Sequence, residues 1–225
     1  MKNQKFERAL VGALFTAGLM FSSTVFAVAS TTYNFVGVTS TNAANVATGM
    51  ASLSVEVIDL NATQVAFKFT NTSGSSLTDV YFDDGTLLGF AFAPQFSAGV
   101  DFSQGASPGN LPGGNNLSPD FTSTVGFNAD SNPPTSPNGV TSGEWLTITF
   151  DLQPTQTYAS VISALALPNG GGTGDLRIGL HVQSFSNGGS ESFVNAPTPV
   201  PEADAYVMLL AGLGLVGFAV RRQSV

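Results

Sequence analysis

The chain has 225 residues with 15 acidic and 7 basic side chains and no cysteine, for a net charge of −8. The lack of thiols excludes disulfides, thiolate metal centres and cysteine nucleophiles. Between Val28 and Val200 only Lys68 and Arg177 stand against twelve acids, a balance that repels phosphate backbones, so no nucleic-acid partner is expected.

The N-terminus opens with Lys2, Lys5 and Arg8, followed by the apolar stretch Ala9–Phe21. Small-residue sites Val25-Phe26-Ala27 and Ala27-Val28-Ala29 come next. This is the layout of a secretory signal peptide over residues 1–29, removed after Ala27 or Ala29. An exported chain of about 170 residues before the C-terminal segment fits one domain with its own core, expected over residues 30–196.

The body reads as β-structure. Leu53, Val55 and Val57 alternate with Ser52, Ser54 and Glu56, and Val65, Phe67 and Phe69 alternate with Ala66, Lys68 and Thr70. A period of two places one face in a core and the other in water. Strands are expected over Thr32–Val38, Ala51–Leu60, Gln64–Asn71, Thr78–Phe82, Leu87–Phe92, Phe121–Phe127, Trp145–Leu152, Thr157–Leu165 and Asp175–Phe185. Their number and spacing predict an all-β fold, an antiparallel, jelly-roll-like β-sandwich, with no helix before the C-terminus. The Gly/Pro/Asn-rich stretches Ser107–Asn116 and Ser131–Gly139 read either as functional loops or as disorder. Asn61-Ala62-Thr63, Asn71-Thr72-Ser73 and Asn116-Leu117-Ser118 are turn and strand residues, although each fits a glycosylation acceptor pattern.

Residues 197–225 form a separate tail. Val200-Pro201-Glu202-Ala203 precedes the sixteen uncharged residues Ala205–Val220, and Arg221 and Arg222 close the run. As a helix that run, 205–220, is about 24 Å long, a little short of the roughly 30 Å hydrocarbon core. The arginine pair is a membrane stop that keeps the C-terminus inside. The order of a Pro-Glu motif, a short apolar helix and an Arg pair resembles the PEP-CTERM sorting signal of Gram-negative bacteria, with Ala203 where the second proline usually stands. The stretch Phe69–Ser73 followed by Leu77–Gly85 is loosely similar to blocks in exported proteins of that group. The resemblance implies recognition by an exosortase-type processing enzyme and cleavage near Val200–Ala203. It also implies a transient membrane anchor, release to the cell surface or outside, and a setting of extracellular polysaccharide and biofilm.

Few groups suggest chemistry. His181 is the sole histidine and lies in a strand pattern, and no Gly-x-Ser-x-Gly elbow marks a nucleophile. Asp79, Asp83 and Asp84 lie within six residues before Gly85 and form a candidate Ca²⁺ site without EF-hand spacing. The chain is therefore expected to be a non-catalytic surface or matrix protein without a cofactor, associated with exopolysaccharide. The alternatives are a calcium-assisted carbohydrate-binding module with exposed Tyr81 or Trp145, and a secreted hydrolase built on His181 or an acid pair.

Overall fold

The computed structural model describes residues 28–124, 126–167 and 175–200. The expected signal peptide before Val28, the membrane helix 205–220 and Arg221 and Arg222 lie outside the described residues. Among the described residues no helix is long and apolar enough to cross a membrane.

The strands are β1 (Ser30–Gly37), β2 (Leu53–Asn61), β3 (Gln64–Asn71), β4 (Ser76–Asp84), β5 (Leu88–Ala91), β6 (Gln95–Phe96), β7 (Phe102–Gln104), β8 (Ala129–Ser131), β9 (Trp145–Leu152), β10 (Leu176–Gln183) and β11 (Glu191–Val200). They form one antiparallel sheet in the order β5-β9-β3-β2-β1-β11-β10-β4-β8-β7, with β6 also on β9. The expected all-β antiparallel fold holds. Its layers arise from the curling of a single sheet into a half-barrel.

The curl shows in the aromatic core. Five strands separate β4 from β9 in the sheet, yet the Phe82 and Phe150 rings lie 4.8 Å apart, and Phe67 sits 5.1 Å from Phe82. Their edge-to-face geometry is the one favoured by ring quadrupoles. The alternating sets read from sequence, Leu53, Val55, Val57 and Val65, Phe67, Phe69, all enter this core.

Among the described residues three α-helices interrupt the strands: α1 (Ala43–Ser52), α2 (Thr135–Asn138) and α3 (Tyr158–Leu165). The strand expected over Thr157–Leu165 is thus corrected to a helix. Thr157 and Ser160 form a capping box, and Val161, Ala164 and Leu165 bury one face at helical spacing. Helix α1 is built from small residues and carries no strong apolar stripe, so its period is faint. Asn42 caps it by accepting from the Ala44 N–H, and Gly49 lies so close to the Phe193 ring that a Cβ would come within 2.1 Å of it. Among the described residues of the strand expected over Phe121–Phe127, none lies in a strand. Phe121 instead packs against the convex face of the sheet.

Candidate functional site

Three places concern function: the convex face over β4 and β10, the convex face over β1, β2, β3 and β9, and the sheet end where the chain's first and last strands meet.

On β4 the side chains of Asp79, Tyr81 and Asp83 point to the convex side, where residues 105–124 cover them. Leu111 and Phe121 pack with Tyr81 and Val194. Gly179 leaves the room for this, since a Cβ there would meet Leu111 at 2.9 Å and Phe121 at 3.0 Å. Arg177, opposite Asp83 in the β10–β4 ladder, pairs with Asp83 Oδ2 through Nε and Nη2. The same guanidinium donates to the backbone carbonyls of Pro119 and Asp120 at 2.8 and 2.7 Å and lies over the Phe121 ring. A buried cation therefore pins Pro119 and Asp120 to the sheet, and the preceding Ser107–Asn116 stretch is held there by Leu111 and by the Pro108 carbonyl, which accepts from the Tyr81 hydroxyl at 3.0 Å.

Asp79, His181 and Asp130 form a second cluster. They sit side by side because Asp79 pairs with His181 of β10 and with Asp130 of β8. Asp79 Oδ2 lies 3.0 Å from His181 Nδ1 and accepts from Thr78 Oγ1 at 2.8 Å. Asp79 Oδ1 is buried without a nitrogen or hydroxyl donor. The Asp130 carboxyl stands beside Asp79 across the β4–β8 ladder and, when protonated, is a group that can donate to it. Burial, then the charge and hydrogen bonding of Asp79, raises Asp130 to about 6, against the lowering effect of the Ser107 and Ser131 amides. Burial, then the charges of Asp79 and Asp130, pushes the Tyr81 hydroxyl up as well.

The structure does not bring Asp79, Asp83 and Asp84 to one point. Asp79 holds His181, Asp83 holds Arg177, and the Asp84 carboxylate accepts from the Leu87 and Leu88 amides at 3.1 Å each. Successive strand residues point to opposite faces, so neighbouring acids in sequence part company in space. Among the described residues no group of three His, Cys, Asp or Glu side chains is disposed to hold a metal ion. Tyr81, expected as an exposed aromatic, is fully buried with its hydroxyl on the Pro108 carbonyl. Ser192 stands opposite His181 in the β10–β11 ladder, but its Oγ is buried without a partner and is sealed from solvent.

Sequence reasoning missed Glu191. It is buried and accepts from Thr39 Oγ1 at 2.6 Å and from the Thr41 and Asn42 amides at 3.2 and 2.7 Å, fixing the turn that enters α1. No local motif announces a carboxylate that acts about 150 residues away.

The convex face over β1, β2, β3 and β9 is polar, and among the described residues no loop covers it as residues 105–124 cover β4. One register row runs Thr32, Glu56, Lys68, Thr147 and Gln95, and the next runs Asn34, Ser54, Thr70 and Trp145. Ser54 and Thr70 join through their hydroxyls at 2.8 Å. Lys68 Nζ lies 5.9 Å from the Trp145 ring centroid, so the indole stays partly exposed under a cation.

At the sheet end formed by the start of β1 and the end of β11, Tyr33 pairs with Pro199 and Thr32 with Val200. Val28, Ala29, Asn61, Ala62, Thr157 and Tyr158 line an open depression of about 760 Å³ at this same end. The last strand continues past residue 196, across the expected domain boundary, and carries Val200 into the sheet. Pro201, Glu202 and Ala203 lie outside the described residues.

Residues 199–223 match the family model of the PEP-CTERM protein-sorting motif. The chain carries a PEP-CTERM sorting motif. The match spans the Val200–Ala203 segment, the apolar run and the arginine pair that the resemblance rested on. No curated protein and no solved structure matches the chain. The PEP-CTERM motif supports export, transient membrane anchoring and exosortase-type processing, and its two leading residues are the two that close the β1–β11 ladder.

Proposed function

We propose that this PEP-CTERM chain is a non-catalytic protein of the cell surface or matrix whose uncovered convex sheet face contacts neutral exopolysaccharide. The carrying observation is that face: Trp145, partly exposed beneath Lys68, lies among rows of Thr, Ser, Asn and Gln side chains. Aromatic faces give sugar rings an apolar platform, and hydroxyl and amide groups meet their hydroxyls. A neutral glycan also escapes the repulsion that the chain's negative balance exerts on acidic polymers.

The non-catalytic part of the reading has its own support. Groups with catalytic potential are engaged in holding the fold: His181 on Asp79, Asp83 on Arg177, Asp84 on its turn and Glu191 on the entry to α1. Co-sedimentation of the exported protein with matrix polysaccharide from its host is the test. Trp145→Ala is expected to reduce retention severalfold while leaving the unfolding free energy within about 0.5 kcal/mol of wild type, as for substitutions away from the core. Retention unchanged in Trp145→Ala overturns the assigned face.

A further inference from the structure

The motif match begins at Pro199, whereas the sheet ends at Val200. The sorting signal and the folded domain therefore share two residues, and both are paired to the first strand. Tyr33 faces Pro199 and Thr32 faces Val200.

The two partners are held unequally. β1 is also paired on its far side, with Ser30 to Asn34 running against Ser54 to Ile58 of β2. The Tyr33 ring is fully buried and its hydroxyl donates to the Ile162 carbonyl of α3, while the Tyr158 hydroxyl donates to Thr31 Oγ1. The end of β11 has weaker support. Its ladder to β10 covers Glu191 to Val194. Its ladder to β1 is broken by an irregularity, because Phe35 faces Asn195 whereas Tyr33 already faces Pro199. Such a break isolates the terminal pairs from the continuous ladder, and Pro199 has no N–H to give to them. Opening these last pairs leaves β1 held by its ladder to β2.

The need to open follows from length. Only Pro201, Glu202, Ala203 and Asp204 separate Val200 from the apolar run, and four extended residues span at most about 14 Å. Enzymes that act on peptides commonly take several extended residues, whose backbone groups pair with the binding cleft. Paired edge to edge with β1, the Pro199–Val200 backbone cannot also lie along such a cleft on that side.

We infer that β1 gates tail processing: Thr32 and Tyr33 hold the start of the motif in the sheet, and β11 unpairs from β1 at Pro199 and Val200 before the processing enzyme takes the tail. This rests on the exosortase-processing reading and adds the fold's own control over it. The gate sets a processing rate that depends on the opening equilibrium of two residue pairs.

The chain's lack of cysteine makes the test direct. Thr32→Cys with Val200→Cys places a disulfide across directly opposed positions of an antiparallel pair, whose Cα separation suits the bond. The full-length double variant is presented to membranes that contain an exosortase, oxidised or after dithiothreitol, and tail loss is followed by intact-mass spectrometry. The oxidised form is expected to lose the tail at least about tenfold more slowly than the reduced form, equivalent to about 1.4 kcal/mol of blocked opening. Inserting Gly-Ser-Gly-Ser-Pro-Val after Val200 in the locked chain, which repeats Pro199-Val200 directly before Pro201, is expected to restore cleavage, because it supplies a complete unpaired motif beyond the lock without opening the sheet. Equal rates in the two redox states, fast or slow, overturn the gate, as does an inserted chain that stays uncut while locked. Wild-type protein that keeps residues 201–225 on these membranes, as it does on membranes without the enzyme, overturns the processing reading itself.

Discussion

On β2 the outward side chains Ser54 and Glu56 meet solvent, and the inward ones, Leu53, Val55 and Val57, fill the core. β4 has the same two-sided construction, yet eight of its nine residues are buried. Its inward Val80 and Phe82 enter the aromatic core, while its outward Asp79, Tyr81 and Asp83 lie beneath residues 105–124. One end of the sheet is thus a two-layer structure of sheet and water, and the other a three-layer structure with charged side chains in the middle. The lesson is energetic. A polar strand face costs little where water solvates it, but each buried charge needs a partner of its own.

The largest test of this contrast is Asp83→Ala. It strands the Arg177 guanidinium under the loop and is expected to cost about 3–5 kcal/mol in urea unfolding. Glu56→Ala, the matching change on the open face, is expected to shift stability by no more than about 0.5 kcal/mol. Similar losses for the two would erase the distinction between the faces. Next in size is Gly179→Val, which puts a side chain where Leu111 and Phe121 rest on β10. Overpacking there is expected to cost about 1–3 kcal/mol and to raise hydrogen exchange and proteolysis within residues 105–124 ahead of global unfolding.

A smaller effect comes from pH. Asp130 binds its proton more tightly in the fold than in the unfolded chain, with its value raised from 3.8 to about 6. A group of that kind contributes stability that is fully present below about pH 4 and is lost as pH rises through about 6. Asp130→Asn is expected to flatten the unfolding midpoint between those limits. An unchanged slope would mean that Asp79 and Asp130 share no proton.

Local pattern made β2, β3 and β9 legible, since β9 spans Trp145–Leu152 as expected and the inward sets of β2 and β3 alternate strictly. The same pattern misread Thr157–Leu165, where a capping box and a buried Val161-Ala164-Leu165 face override a strand-like run of β-branched residues. β11 was invisible because Pro197 and Pro199 argue against a strand. They are tolerated past Val194, where the ladder to β10 has ended. The Asp79, Asp83 and Asp84 group failed as a metal site for a geometric reason: strand alternation sends Asp84 to the side opposite Asp79 and Asp83, and Arg177 and His181 claim the other two.

The sequence by itself determined the things that neighbours along the chain decide: the period-two core faces, the absence of thiol chemistry, and the sorting motif at residues 199–223, which is read as a linear string. Tertiary structure alone decided that the strand leading into that motif closes onto the first strand, so that Thr32 meets Val200, and that a loop would turn one polar strand face into an interior. Contacts separated by tens of residues, and by well over a hundred for Thr32 and Val200, depend on the register of the strands between them and on the curl of the sheet, and no local period encodes either.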